Sequence, residues 1–130
     1  MTERVAAEPT LYSAEGSVAL HGRRCTACGH VCFPPQAYGC EACGAGPQSL
    51  ASQDLPACGT LVASVAVLRH PLAPFTVGTV LLDSGPAVRA VIEAPGSDLL
   101  PGTRMRGVLV ATGASAGATV VELWFAPEET

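Results

Sequence analysis

Four of the chain's six cysteines fall into two pentapeptides of one pattern, Cys25-Thr26-Ala27-Cys28-Gly29 and Cys40-Glu41-Ala42-Cys43-Gly44. Two thiolates separated by two residues reach one tetrahedral ion from a single tight turn, so the doubled motif offers the full ligand set of a structural zinc. The glycine behind each second cysteine suits such a knuckle, because the chain leaving it often needs positive φ, which glycine takes without steric cost. With four protein ligands the ion keeps no open position for water, and its expected role is to hold the fold. A disulfide or redox pair is the competing reading, and the repeated spacing disfavours it. The expected ligands of one zinc per chain are therefore Cys25, Cys28, Cys40 and Cys43.

The two remaining cysteines carry weaker signals. Cys32 lies near the first knuckle as Cys28-x-x-x-Cys32, but Gly29 completes the turn at Cys28 and the pair then mirrors Cys40 and Cys43, which leaves Cys32 as a small buried side chain. Cys58 and His70 suggest a nucleophile and its base. Continuous strand between them, at about 3.3 Å per residue, would hold them about 40 Å apart. Cys58 is accordingly read as structural, and His70 as a turn residue before Pro71. No Ser-His-acid cluster, phosphate-cradling glycine loop or paired carboxylate stands out elsewhere, so no catalytic residue is expected.

The elements that position these residues are strands. Gly16 to Arg24 alternates weakly and runs into Cys25, as the lead strand of a zinc ribbon does. Val31-Cys32-Phe33 reads as a second short strand, stopped by Pro34-Pro35, which cannot donate to a ladder. Residues 1–15 read as an arm that orders only against something else, 16–46 as the ribbon and 47–57, rich in Gly, Pro, Ser, Gln and Asp, as a linker. From 58 to 130 the texture changes to β-branched runs broken by turn signals. Five strands are expected there: Thr60 to Arg69, Phe75 to Leu82, Ala87 to Glu93, Thr103 to Ala111 and Thr119 to Phe125. Asp83-Ser84-Gly85-Pro86 and Gly113 to Gly117 serve as turns. Within the third strand Val88, Ala90 and Ile92 share one face, with Arg89 and Glu93 on the other. Five strands with a longer break after the third match an OB-fold, whereas an immunoglobulin-like sandwich needs about seven. The expected fold is all-β: an N-terminal zinc ribbon followed by a five-stranded OB-fold barrel.

Composition narrows the function classes. The sequence is 48% hydrophobic and 14% charged, with seven arginines, no lysine and eleven acids for a formal charge of -4. A nucleic-acid binder presents a basic face, and a stacking platform sets aromatics beside cations, so nucleic acid is disfavoured. No signal peptide or membrane-length apolar run is visible, and six cysteines without a leader suit a reducing compartment, so the cytoplasm is expected.

The order of motifs resembles one family. Arg24-Cys25-x-x-Cys28-Gly29, Phe33-Pro34-Pro35, Cys40-x-x-Cys43-Gly44, Gly59-Thr60-Leu61-Val62-Ala63-Ser64, Leu82-Asp83-Ser84-Gly85-Pro86, Pro101-Gly102-Thr103 and Phe125-Ala126-Pro127 follow one another as in the acyl-CoA-associated OB-fold family with a rubredoxin-like zinc ribbon, domain of unknown function thirty-five. The resemblance covers about Val18 to Pro127. It implies a small non-catalytic partner of a thiolase-superfamily enzyme acting on acyl-CoA, by thiolytic or retro-aldol C–C cleavage, of the kind seen in a benzoylsuccinyl-CoA-type thiolase or a steroid side-chain aldolase. It also implies a heterotetramer in which the catalytic subunit binds most of the CoA. Cys32, Cys58 and the near absence of a helix before the ribbon depart from the family pattern.

Two surface features bear on that expectation. Phe33, Pro34, Pro35 and Tyr38 form a candidate apolar edge for the partner. Arg89, Arg104 and Arg106 lie on strands, and arginine grips phosphate in a bidentate fork. The simpler reading of all three is a solvated strand face, so no CoA-binding residue is assigned. The alternative function, an OB-fold and zinc-ribbon nucleic-acid-binding protein, is separated from the first by charge.

Overall fold

The computed structural model describes residues 4–15, 18–68, 73–93 and 99–128. Their strands are β1 (Arg4–Ala6), β2 (Ala19–Cys25), β3 (Val31–Cys32), β4 (Leu50–Pro56), β5 (Cys58–Val67), β6 (Phe75–Leu82), β7 (Ala87–Ile92), β8 (Arg104–Ser115) and β9 (Ala118–Pro127). Among the described residues the one helical element is a single 3-10 turn at Pro47–Ser49. His70, with Arg69, Pro71 and Leu72, lies outside the described residues, as do Gly16, Ser17, Pro95 and Gly96.

β5, β6 and β7 form an antiparallel meander; β7 then meets β9 in parallel at Ile92 and Phe125, β9 pairs with β8, and β8 returns to β5 through Cys58 to Thr60. The barrel thus closes in the order β5-β6-β7-β9-β8, the Greek-key arrangement of an OB-fold. The all-β expectation, with ribbon before barrel, is borne out. Alternation explains the packing: Val88 and Ile92 of β7 turn inward with Leu61, Val80, Leu82, Met105 and Phe125, while Arg89 stays exposed.

The ribbon is a three-stranded sheet, β3-β2-β4. Here the structure departs from the sequence reading of 47–57 as a linker, because Leu50–Pro56 is a strand paired along the whole of β2, from Cys25↔Leu50 to Ala19↔Pro56. Only Leu50 and Leu55 of that strand are buried, so it carries little apolar signal and is held mainly by backbone pairing. Leu55 and Leu20 enter the barrel's core cluster, which joins ribbon and barrel in one apolar interior.

Two further departures concern ends and turns. Residues of the arm order against the barrel itself: β1 runs parallel to β9 from Arg4↔Thr119 to Ala6↔Val121, and the buried Tyr12 donates its hydroxyl to the Val121 carbonyl at 2.9 Å. β8 continues past Ala111 to Ser115, so that Gly113 lies within the strand, after a bulge, and the turn is confined to Ala116 and Gly117.

Candidate metal centre

The two knuckles are built alike. Gly29 N–H donates to the Cys25 carbonyl at 2.8 Å and Gly44 N–H to the Cys40 carbonyl at 2.9 Å. Cys25 N–H reaches the His30 carbonyl at 2.8 Å, and Cys40 N–H reaches that of Ala45 at 2.9 Å. Gly29 and Gly44 sit at φ of 83° and 79°, the left-handed conformation that the motif requires of its fifth residue. The second knuckle leads through the Pro47–Ser49 turn, where the Ser49 carbonyl accepts from both the N–H and the hydroxyl of Thr26, at 2.8 and 3.1 Å.

This geometry brings Cys25, Cys28, Cys40 and Cys43 together, with all four Sγ atoms within 4.8 Å of one another. Cys25 and Cys43 are 3.7 Å apart and Cys28 and Cys40 3.6 Å. A zinc with bonds of about 2.3 Å sets its tetrahedral sulfurs about 3.8 Å apart, whereas a disulfide would bring two of them to about 2.05 Å. The six cysteines are all unpaired thiols, and the spacing fits an ion and not a disulfide. Cys25, Cys40 and Leu50 pack as a small buried cluster beneath the site, with Cys28 and Cys43 outward.

The electrostatics agree with the donor set. The Cys28 backbone N–H holds Cys25 down to about 7 against desolvation, and the neighbouring thiols Cys43 and Cys40 assist. At Cys28 the His30 backbone N–H acts downward, but desolvation and the thiols of Cys40, Cys43 and Cys25 outweigh it and push the group up to about 12. Cys40 is lowered, chiefly by the Cys43 N–H, while Cys43 is raised despite the Ala45 N–H. Four adjacent thiols cannot all ionise alone; a dication is the partner that lets every one of them do so.

Cys32 stands outside the cluster and is buried, as the sequence reading had it. Phe33 is half-buried against the barrel core, so the apolar edge anticipated on the ribbon reduces to Pro34, Pro35 and a Tyr38 that is 93% exposed. Cys58 does have polar company that the sequence did not reveal: its thiol donates to Asp83 Oδ2 at 3.4 Å. Arg104 is exposed, as the sequence reading had it, but it too has polar partners. It grips Asp83 with both terminal nitrogens, donates to Thr60 Oγ1 at 3.1 Å and lies 3.9 Å from Glu128. Arg89 and Arg106 are exposed.

A four-thiol ribbon leading into a five-stranded OB barrel defines the structural class of this chain. No family model matches the sequence, and no curated protein does. Solved structures do match, among them one named Ltp2-ChsH2(DUF35) aldolase, similar to this chain with a TM-score of 0.62 and 22% identity over 84% of each chain. The two share their fold, and that name carries the designation of the domain which the motifs from Arg24 to Pro127 resemble. No helix among the described residues is long and apolar enough to cross a membrane.

Proposed function

We propose that this chain is the non-catalytic, zinc-binding subunit of a complex whose catalytic subunit is a thiolase-superfamily protein that cleaves a C–C bond of an acyl-CoA. The observation that carries the reading is the shared fold, over 84% of both chains, with a structure named as an aldolase with a DUF35 component. The four thiols would hold one structural Zn2+, which supplies a rigid cross-link between the knuckles and no chemistry of its own. The chain's residues scaffold the partner: the barrel presents a surface, and the ribbon is fixed to it through Leu20 and Leu55. The nucleophile and base belong to the partner. Cys58 is suited to neither role, because desolvation and then Asp83 raise its thiol above the ordinary value. A cytoplasmic location and a heterotetramer built on the partner's own dimer complete the proposal; an obligate contact would bury about 2,000 Å² or more in total.

The test is to tag the chain in its native host, identify co-purifying proteins by mass spectrometry, and assay the recovered complex for acyl-CoA cleavage. A thiolase-superfamily protein that is inactive or insoluble alone and active with this chain is the expected result. A catalytic protein fully active without it, or tight salt-sensitive binding of this chain to single-stranded nucleic acid, would overturn the reading.

A further inference from the structure

β6 reads Phe75-Thr76-Val77-Gly78-Thr79-Val80-Leu81-Leu82, apolar at both parities. A strand of that composition is ordinarily one with both faces covered. Gly78, Val80 and Leu82 face the barrel interior, whereas Phe75, at 38% exposure, and Leu81, at 47%, face outward with Val77. The register extends this outer face to both neighbours: Val65 of β5 and Val91 of β7 flank Val77, and Arg89 lies beside Thr79. Ala63, Val65, Val77, Gly78, Thr79 and Arg89 line a shallow groove of about 270 Å³. Among the described residues nothing packs over it.

The charges around this face are as selective as its apolar positions. Arg89 is the one ionisable side chain at its centre, exposed and without an ion-pair partner among the described residues, in a chain whose formal charge is -4. Asp83 and Glu93 stand at its two ends, and Asp83 is already held by Arg104. An apolar centre with a polar rim is the anatomy of a protein interface, and an unpaired arginine at that centre calls for an acid opposite it.

We propose that the outer face of β5, β6 and β7 is the surface that docks on the catalytic partner, through an apolar patch of that partner carrying a carboxylate opposite Arg89. This deepens the function proposed above and rests on it. Burial of Val65, Val77 and Leu81 supplies the driving force, and the Arg89 pair fixes the register.

The experiment uses the full chain and the thiolase-superfamily protein recovered with it. Val65→Asp and Arg89→Glu are each expected to weaken the complex by about thirtyfold or more, as loss of an interface hot spot does, with wild-type zinc content and thermal unfolding. Arg89 is exposed, so its variant tests the face even if Val65→Asp fails to fold. Asp54→Asn, at an exposed position of ribbon strand β4, is expected to bind as the wild type does. Wild-type affinity in both face variants would overturn the docking assignment and leave the proposed function standing. A wild-type chain that binds no such protein would overturn both. Sedimentation showing a homodimer that Arg89→Glu dissociates would identify a second copy as the occupant instead, and would likewise overturn it.

Discussion

Arg104 holds Asp83 by a two-pronged pair, with Nη1 to Oδ1 at 2.8 Å and Nη2 to Oδ2 at 2.7 Å. The contact ties the β6–β7 turn to the first residue of β8, next to the point where β8 closes the barrel on β5. Arg104, ahead of the Cys58 thiol, lowers Asp83 from 3.8 to about 2. A carboxylate depressed in the folded state contributes stability that is present above its unfolded value and lost as pH falls through the folded one. The unfolding temperatures of the wild type and Asp83→Asn should therefore differ most near neutral pH and converge between about pH 4 and pH 2. Both side chains are about half exposed, so the gap should also narrow in high salt.

The metal assignment separates two neighbouring cysteines. Cys28→Ser should lose the bound zinc and the ribbon's order, whereas Cys32→Ser should keep one zinc per chain. Metal analysis of the two purified variants decides it, and the reverse pattern would reassign the ligand set. Chelation of the wild type should lower its unfolding temperature, because binding free energy at a closed thiolate site is folding free energy.

Cys58 should be a slow thiol. Desolvation and the Asp83 carboxylate raise it above its ordinary 9.0, so alkylation by iodoacetamide at pH 7 should lag a model thiol and its rate should rise through a midpoint above 9. The isolated chain should show no thiolase, aldolase or hydrolase turnover, and Cys58→Ala should leave the assembled complex active. Turnover by the isolated chain that disappears in Cys58→Ala would contradict this.

Gly22 of β2 is a close-approach position. A Cβ there would lie 2.7 Å from the Cys32 carbonyl oxygen and 2.7 Å from Leu55 Cδ1. Backbone cannot retreat as a flexible side chain can, so Gly22→Ala should cost about 1–3 kcal/mol in denaturant unfolding.

Features written locally were legible in the sequence. Each knuckle turn is complete within six residues, from Cys25 to His30 and from Cys40 to Ala45, so its shape is written in the local sequence. The inward face of β7 follows from alternation alone. β4 was missed because its sequence, Leu-Ala-Ser-Gln-Asp-Leu-Pro, has no periodic apolar face; in a thin three-stranded ribbon most of its side chains meet solvent. The end of β8 was missed because Thr112 to Ser115 are small residues with turn-like composition, held in the strand by the pairing of Gly113 to Ser115 with β9. The Asp83–Arg104 pair joins two elements that only the closed barrel brings together.

The bond from Tyr12 to Val121 spans 109 residues. Together with the pairing of β1 along Thr119 to Val121, it gives the first described residues a partner that the ribosome makes only after more than a hundred further residues. The knuckles can close on a metal soon after residue 45 emerges, and residues 11–13 can bridge to β2 as early, but residues 4–7 have no strand to pair with until β9 exists. For these residues chain order and assembly order run opposite ways. In nascent chains halted before Ala118, residues 4–7 should be cut readily by protease, and they should gain protection only when the stall is moved beyond Val121 and that segment has cleared the exit tunnel.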